Sequence, residues 1–331
     1  MAGPLPRNLL PDTAEIGPEG NTAVGGCDLV NLANQWGTPL FVYDEDHLRS
    51  RCREAVAAFG GGVAYASKAF LCSAMARLAH EEGLQLDVAT GGELFLARRA
   101  GVPGNRLVFH GNNKSDAELA LAVDEGVGRI VVDSFDELDR LEALHLTTGV
   151  TPRVLLRVTP GVEVHTHEFI ATGQDDSKFG FTVRGGLADS AVQRASASTA
   201  VDLVGLHAHI GSQVFDVEPF ARAIDVLAAF AAPYDLPELS VGGGLGVPYV
   251  EGESAPTIGE WADAIHKACV QAGVTSEVTA EPGRAIVAAA AITLYRVGTI
   301  KDLPGLRTYV AVDGGMSDNP RPVLYGSGYE T

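Results

Sequence analysis

The sequence predicts an α/β fold: a (β/α)8 barrel, followed by a second domain that is incomplete within this chain. Three observations predict it. After residue 60, short β-rich runs alternate with amphipathic helical stretches eight times, and eight such units over roughly 220–250 residues match the size of a closed barrel. The first βα junction, Ser67-Lys68-Ala69, lacks the glycines that a doubly wound nucleotide-binding sheet carries there. Both flanks hold strand-like segments with no partner inside the alternation.

The β-rich runs are 63–68, 85–90, 107–112, 129–134, 154–160, 204–212, 239–244 and 277–284. Helical patterns lie between them, as at 71–82, 92–100, 116–124, 134–146, 220–232 and 258–272. The longest interruption, 161–184, holds His165, His167, Asp175, Asp176 and Lys178. It reads as an extended βα loop on the face where barrel function concentrates. Residues 38–43 read as an edge strand. Residues 285–301 form a β-rich stretch and 308–313 another strand, before a glycine-rich aromatic end at 324–331. The expected division is 1–43 for an N-terminal segment outside the barrel, 44–300 for the barrel, and 301–331 for the start of a C-terminal domain.

With 331 residues and 46% apolar content, the chain can bury a sizeable core. Subtracting 42 Asp and Glu from 24 Lys and Arg leaves −18, which argues against nucleic acid or an anionic membrane surface as partner. No run of about 18 apolar residues reads as a membrane span, and residues 1–17 lack the pattern of a secretory signal. Cys27, Cys52, Cys72 and Cys269 show no metal-like spacing, so a reduced, cytoplasmic setting is expected. Cys72 reads as a small apolar helix residue. No metal site is expected, because the loop histidines lack helical His-x-x-x-His spacing.

The chemistry sits where the predicted strands end, since those ends converge in a barrel. The first run delivers Lys68. A buried amine there loses hydration and charge and suits attack on a carbonyl; a lysine snorkelling into solvent is the plainer reading of that residue alone. The second run gives Asp87, the third His110 and Asn112, and the fifth Arg157. The sixth gives His207, His209, Gly211 and Ser212. The seventh ends in Gly242, Gly243 and Gly244, and the eighth in Glu281, Gly283 and Arg284. Polar residues at nearly every strand end are not needed for packing and point to a ligand site. The glycine run reads as an anion cradle or as a tight turn. An amine, a phosphate cradle, a ring-stacking histidine and an acid suited to a pyridine nitrogen together describe pyridoxal 5′-phosphate (PLP). A phosphosugar lyase would share the amine and the cradle but would not need the acid.

The motifs YASK at 65–68, DVATGGE at 87–93, HAHIGSQ at 207–213, GGGLG at 242–246 and EPGR at 281–284 resemble those of the fold-type III PLP-dependent decarboxylases. HEFI at 167–170, DSKFGF at 176–181 and DGGMSDNPRP at 313–322 are similar to the diaminopimelate decarboxylase branch. The resemblance runs from about residue 35 to the last residue. It implies a barrel of the alanine-racemase type with a β-domain from both ends. It implies Lys68, His209 and Glu281 as catalytic residues: Lys68 holds PLP, His209 stacks on its ring, and Glu281 keeps the pyridine nitrogen protonated. Ser212, Gly243, Gly244, Gly283 and Arg284 would hold or flank the phosphate, with Asp87 and Arg157 near the ring hydroxyl. Arg284, Arg321 and Tyr325 match substrate-binding positions, and arginine pairs bidentately with a carboxylate.

The implied reaction converts meso-2,6-diaminopimelate to L-lysine and CO2, the last step of lysine biosynthesis. An ornithine- or arginine-type decarboxylase of the same fold is the alternative enzyme, and a non-catalytic PLP-binding homologue the alternative of another class. The family works as a homodimer whose partner lends a cysteine, in a Cys-Glu-Ser-type motif, as proton donor. None of the four cysteines here lies in such a motif, so this chain as given is expected to be inactive.

Overall fold

The computed structural model describes residues 5–18, 20–162 and 177–331. The eight expected strands are present: β1 (Ala64–Ala66), β2 (Gln85–Val88), β3 (Leu107–Phe109), β4 (Arg129–Val132), β5 (Arg153–Thr159), β6 (Asp202–His207), β7 (Glu238–Ser240) and β8 (Glu277–Thr279). They pair in parallel and in sequence order. Two bonds close the ring: the Ala64 N–H donates to the Ala280 carbonyl at 3.0 Å, and the Ala66 N–H to the Pro282 carbonyl at 3.1 Å. Most observed strands stop two to five residues short of the β-rich runs. The remaining residues of each run leave the ladder as turns, and those turns carry the polar groups.

The helices that follow the strands are α1 (Ser73–Glu81), α2 (Gly91–Arg99), α3 (Asp116–Asp124), α4 (Phe135–Thr148), α5 (Leu187–Ala197), α6 (Glu218–Ala231), α7 (Ile258–Gln271) and the single turn α8 (Arg284–Val287). Side-chain caps on backbone N–H groups fix where several begin: Thr90 for α2, Ser134 for α4, and full capping boxes at Ser115/Glu118 for α3 and Thr257/Glu260 for α7. Residues 284–287 are helical, although 285–301 reads as β-rich. The Pro282-Gly283 turn ends the strand, and the Ile286 N–H closes a turn on the Gly283 carbonyl.

The core has two layers. Inside the barrel, Ala64, Val108, Val131, Leu155 and Val204 meet across the axis. Outside, α6 and α7 bring Phe220 and Trp261 together edge to face, with Phe59 against Trp261. Trp261 is fully buried; burying a large side chain of this kind contributes about 1.5–3 kcal/mol.

One strand breaks the regular pattern. The β6–β5 register jumps from Leu203 opposite Val154 to Gly205 opposite Leu155, which leaves Val204 as the extra residue of a bulge. Val204 turns into the inner apolar layer. Gly205 has no side chain to place there, and a Cβ on it would press on the Glu238 backbone.

The barrel unit comprises Arg51–Gly246 and Ala255–Ile286, narrower than the expected 44–300. The other unit comprises residues through Ser50, Val247–Ser254 and Val287–Thr331. Within it, Leu40–Tyr43 pairs antiparallel with Ala291–Leu294, and Val297–Leu303 with Arg307–Val312. Leu10, Ala14, Val24 and Leu29 form its small core, with Val42, Ile292 and Leu294 packed against them. No helix among the described residues is long and apolar enough to cross a membrane.

Candidate active site

Strand alternation builds the site. Two residues beyond the inner apolar layer, β1, β3, β4 and β5 lead to Ala66, His110, Asp133 and Arg157, and β2 supplies Asp87. Side chains two apart share a face, so the polar groups rise from the apolar layer along the barrel axis. On β6 the bulge puts His207, three residues past Val204, on the inner face as well, opposite Arg157 and Ser240 in register.

Glu281 is the hub of this layer and is buried. His110 Nε2 lies 3.1 Å from its Oε1 and His207 Nε2 lies 2.9 Å from its Oε2. Ser240 Oγ adds a longer contact of 3.4 Å. Burial alone would raise the Glu281 pKa, but the charges and hydrogen bonds of His110 and His207 outweigh it and hold the carboxyl well below its ordinary range. An ionised carboxylate only accepts hydrogen bonds, so both imidazoles donate from Nε2. Burial also opposes charging of His110, yet the Asp87 and Glu281 carboxylates prevail and raise its pKa. Burial dominates at His207 and lowers it. Asp87 is pushed up, first by burial, with Glu281 adding to it and His110, Lys68 and Arg157 opposing.

The donor atoms of His110, His207 and Glu281 lie within 4.8 Å of one another, a grouping able to hold a metal that the sequence spacing did not reveal. Here they are mutual hydrogen-bond partners, with N–H groups where a metal would need lone pairs.

Beside this hub, His209 is held by its Nδ1, which accepts the Gly243 N–H at 3.2 Å. Burial, then the charges of Lys68 and Arg157, push its pKa well down, so the ring is neutral with its proton on Nε2. The same bond corrects the expected anion cradle. The Gly243 N–H is committed to His209, and the Gly242 N–H to Ser240 Oγ at 3.3 Å. Of the three, only the Gly244 N–H has no acceptor among the described residues. Ser212 Oγ accepts from Arg284 Nη2 at 3.4 Å. Gly283 is a close approach: a Cβ there would lie 2.9 Å from the Ala66 Cβ.

Lys68 differs from expectation in one respect. It sits in the 3-10 turn Ser67–Ala69 that follows β1, and its side chain is exposed. The chain leaves the barrel wall after Ala66, so the expected buried, strand-delivered amine is replaced by an amine at the solvent-facing rim. It remains within electrostatic reach of Asp87, His110 and His209.

The Arg157 guanidinium lies over the Phe179 ring, 4.3 Å from its centroid. Next to it, the Gly180 N–H donates to Asp133 at 2.7 Å. A network that sequence reading missed supports this side. The Lys114 amine donates to the Gly111 and Val131 carbonyls and to Glu137 at 2.6–2.8 Å, and Glu137 accepts the Asp133 N–H. A cavity of about 60 Å³ lies on the opposite, N-terminal side of Glu281, among Ala64, Val108, Leu155, Ser240 and Thr279.

Arg321 and Tyr325 belong to the other unit. There the Arg321 guanidinium lies 5.3 Å from the Tyr325 ring and 5.8 Å from the Tyr249 ring, and donates to Ser327 Oγ at 3.2 Å. His165, His167, Asp175 and Asp176, and the segment 167–170, fall outside the described residues. Lys178 lies over Phe179.

Residues 45–288 match the family model described as "Pyridoxal-dependent decarboxylase, pyridoxal binding domain". The chain is 48% identical over 347 residues to the diaminopimelate decarboxylase of Mycobacterium tuberculosis, covering 98% of this chain and 78% of that one. It is 44% identical over 338 residues to that of Bacillus subtilis, covering 97% and 77%. Among solved structures, the M. jannaschii diaminopimelate decarboxylase in complex with L-lysine superposes with a TM-score of 0.89 at 34% identity, covering 96% of this chain and 77% of that one.

Proposed function

Because the chain belongs to the pyridoxal-dependent decarboxylases and, within them, to the diaminopimelate decarboxylases, we propose that it binds PLP and converts meso-2,6-diaminopimelate to L-lysine and CO2. One observation in the fold carries the reading. Lys68 and Glu281, just past the ends of β1 and β8, both lie within electrostatic reach of His209, just past the end of β6.

The residues present fit PLP. An amine at the rim, a free backbone N–H at Gly244, the Ser212–Arg284 pair and a buried ionised carboxylate match its aldehyde, phosphate and pyridine nitrogen. Gly283 keeps the backbone beside Lys68 clear of a side chain. When bound, PLP supplies an electron sink for the electron pair left as CO2 departs.

The protein's own residues do the rest. The Lys68 amine would hold the cofactor. Glu281, already ionised, would hold a proton on its ring nitrogen. His209, neutral and fixed through Nδ1, would pack on the ring without adding charge. Asp87 and Arg157 would serve its ring hydroxyl. Arg284 would receive a carboxylate of the substrate, and a site arginine left without its carboxylate partner disfavours ornithine and arginine. The assembly is a homodimer and the compartment cytoplasmic. Cys52 and Cys269 are buried and Cys72 accepts the Met75 N–H, so the thiol that would return the proton matches none of these.

The test is direct. The protein is loaded with PLP and given meso-diaminopimelate, ornithine, arginine and lysine in turn, and CO2 and L-lysine are measured. Uptake of PLP, with the covalently bound cofactor's visible absorption abolished in Lys68→Ala, and any release of L-lysine and CO2 confined to diaminopimelate, is the expected result. Turnover of ornithine or arginine in its place, or failure to take up PLP, overturns the reading. Uptake without turnover would assign the missing step to the proton donor.

A further inference from the structure

We infer that His110 and His207 are positioning residues that clamp Glu281, each donating from Nε2 to a different carboxylate oxygen and so fixing both its plane and its charge. The inference deepens the proposed function but rests on it only where the cofactor is used as a probe.

Geometry carries it. The two imidazoles come from just past β3 and from the end of β6, and take one oxygen each at 3.1 and 2.9 Å. Their rings meet edge to face with centroids 4.9 Å apart, so each limits the tilt of the other. Both are buried. His207 Nδ1 has no hydrogen-bond partner among the described residues, which is tolerable for an acceptor lone pair and costly for an N–H. The proton therefore stays on Nε2, facing Glu281. His110 Nε2 also faces Asp87 Oδ1 at 3.7 Å, which favours a charged His110. The clamp is thus unequal: a cationic donor on one oxygen, a neutral donor on the other. Lys68, Arg157, Asp87 and His209 are the other charged or titratable groups around it. With two lone pairs per oxygen, the carboxylate can accept both imidazoles and still accept one more N–H.

The clamp acts before any cofactor arrives, and that makes it testable without one. The Glu281 carboxyl carbon is followed by ¹³C NMR in glutamate-labelled cofactor-free protein, with its signal assigned by Glu281→Gln. Wild type shows no titration of that carbon between pH 5 and 8. In His207→Leu and His110→Leu it titrates inside that window, and PLP affinity at pH 6 falls about tenfold, the loss expected for one charge-assisted hydrogen bond. His207→Gln, which keeps a donor near the Nε2 position but cannot titrate, restores both. Should the leucine variants not fold, His207→Asn, too short to reach the carboxylate, replaces them. A Glu281 signal unmoved in folded Leu or Asn variants overturns the clamp. Failure of the wild type to bind PLP overturns the proposed function instead and leaves the NMR arm decisive for the clamp.

Discussion

At the scale of single residues, the polar layer balances opposed protonation preferences. His207 and His209 resist protonation in the fold. Below about pH 6.5, the ordinary histidine value, the unfolded chain takes up protons that these two refuse, so stability falls as pH drops. His110 has the opposite sign. Its raised pKa gives stabilisation that is complete below the unfolded value and is lost as pH rises through the folded one. Glu281, held low, contributes above its unfolded value and loses that contribution only in strong acid. Cofactor-free protein should therefore be most stable near neutrality. Denaturant melts from pH 5 to 9 check this: His110→Gln should flatten the alkaline limb and His209→Gln the acid one.

At the scale of elements, the Lys114–Glu137 pair ties the turn after β3 to β4 and to the N-terminus of α4. Both partners are displaced toward neutrality, the lysine down and the glutamate up, and burial is the leading cause for each. Pairing offsets desolvation only in part, as is common for buried ion pairs. Lys114→Met should thus cost about 3–5 kcal/mol, because it strands Glu137. Lys114→Met with Glu137→Leu should recover much of that, measured as a double-mutant cycle in urea. This network was not legible in the sequence, since a lysine in a loop and a glutamate in the first turn of a helix both read as solvated. By contrast, the strands and capped helices were legible, because alternation, periodicity and Ser/Thr caps are local signals. The site was partly legible: strand-end residues could be enumerated, but which N–H of Gly242–Gly244 stays free depends on where His209 and Ser240 point.

At the scale of the molecule, the chain holds two units with separate cores, the barrel's axial layer and the cluster around Leu10 and Ile292. The proposed PLP-binding residues lie in the barrel unit, so binding should raise the barrel's stability. At free PLP 100-fold above its Kd the linkage amounts to about 2.7 kcal/mol. A calorimetric scan with and without PLP should show a shifted transition, and Lys68→Ala should remove most of the shift. The division into units was the least legible feature. Residues 247–254 lie inside the barrel's sequence yet belong to the other unit, and nothing in their composition marks the exchange.

The bulge at Val204 has a consequence best put as a reading frame. Counted by twos from Val204, β6 would bring Leu206 and Ala208 to the axis. Because one residue is set aside, the count restarts at Gly205 and brings His207 and His209 instead. Removing Val204 would leave the histidines in frame and open only a valine-sized gap beside the side-chainless Gly205. Adding or removing one residue between Gly205 and His207 would turn both histidines outward and set aliphatic groups against Glu281. The chemistry of the barrel's mouth is thus written in one of two frames of a single strand, and a one-residue offset selects it.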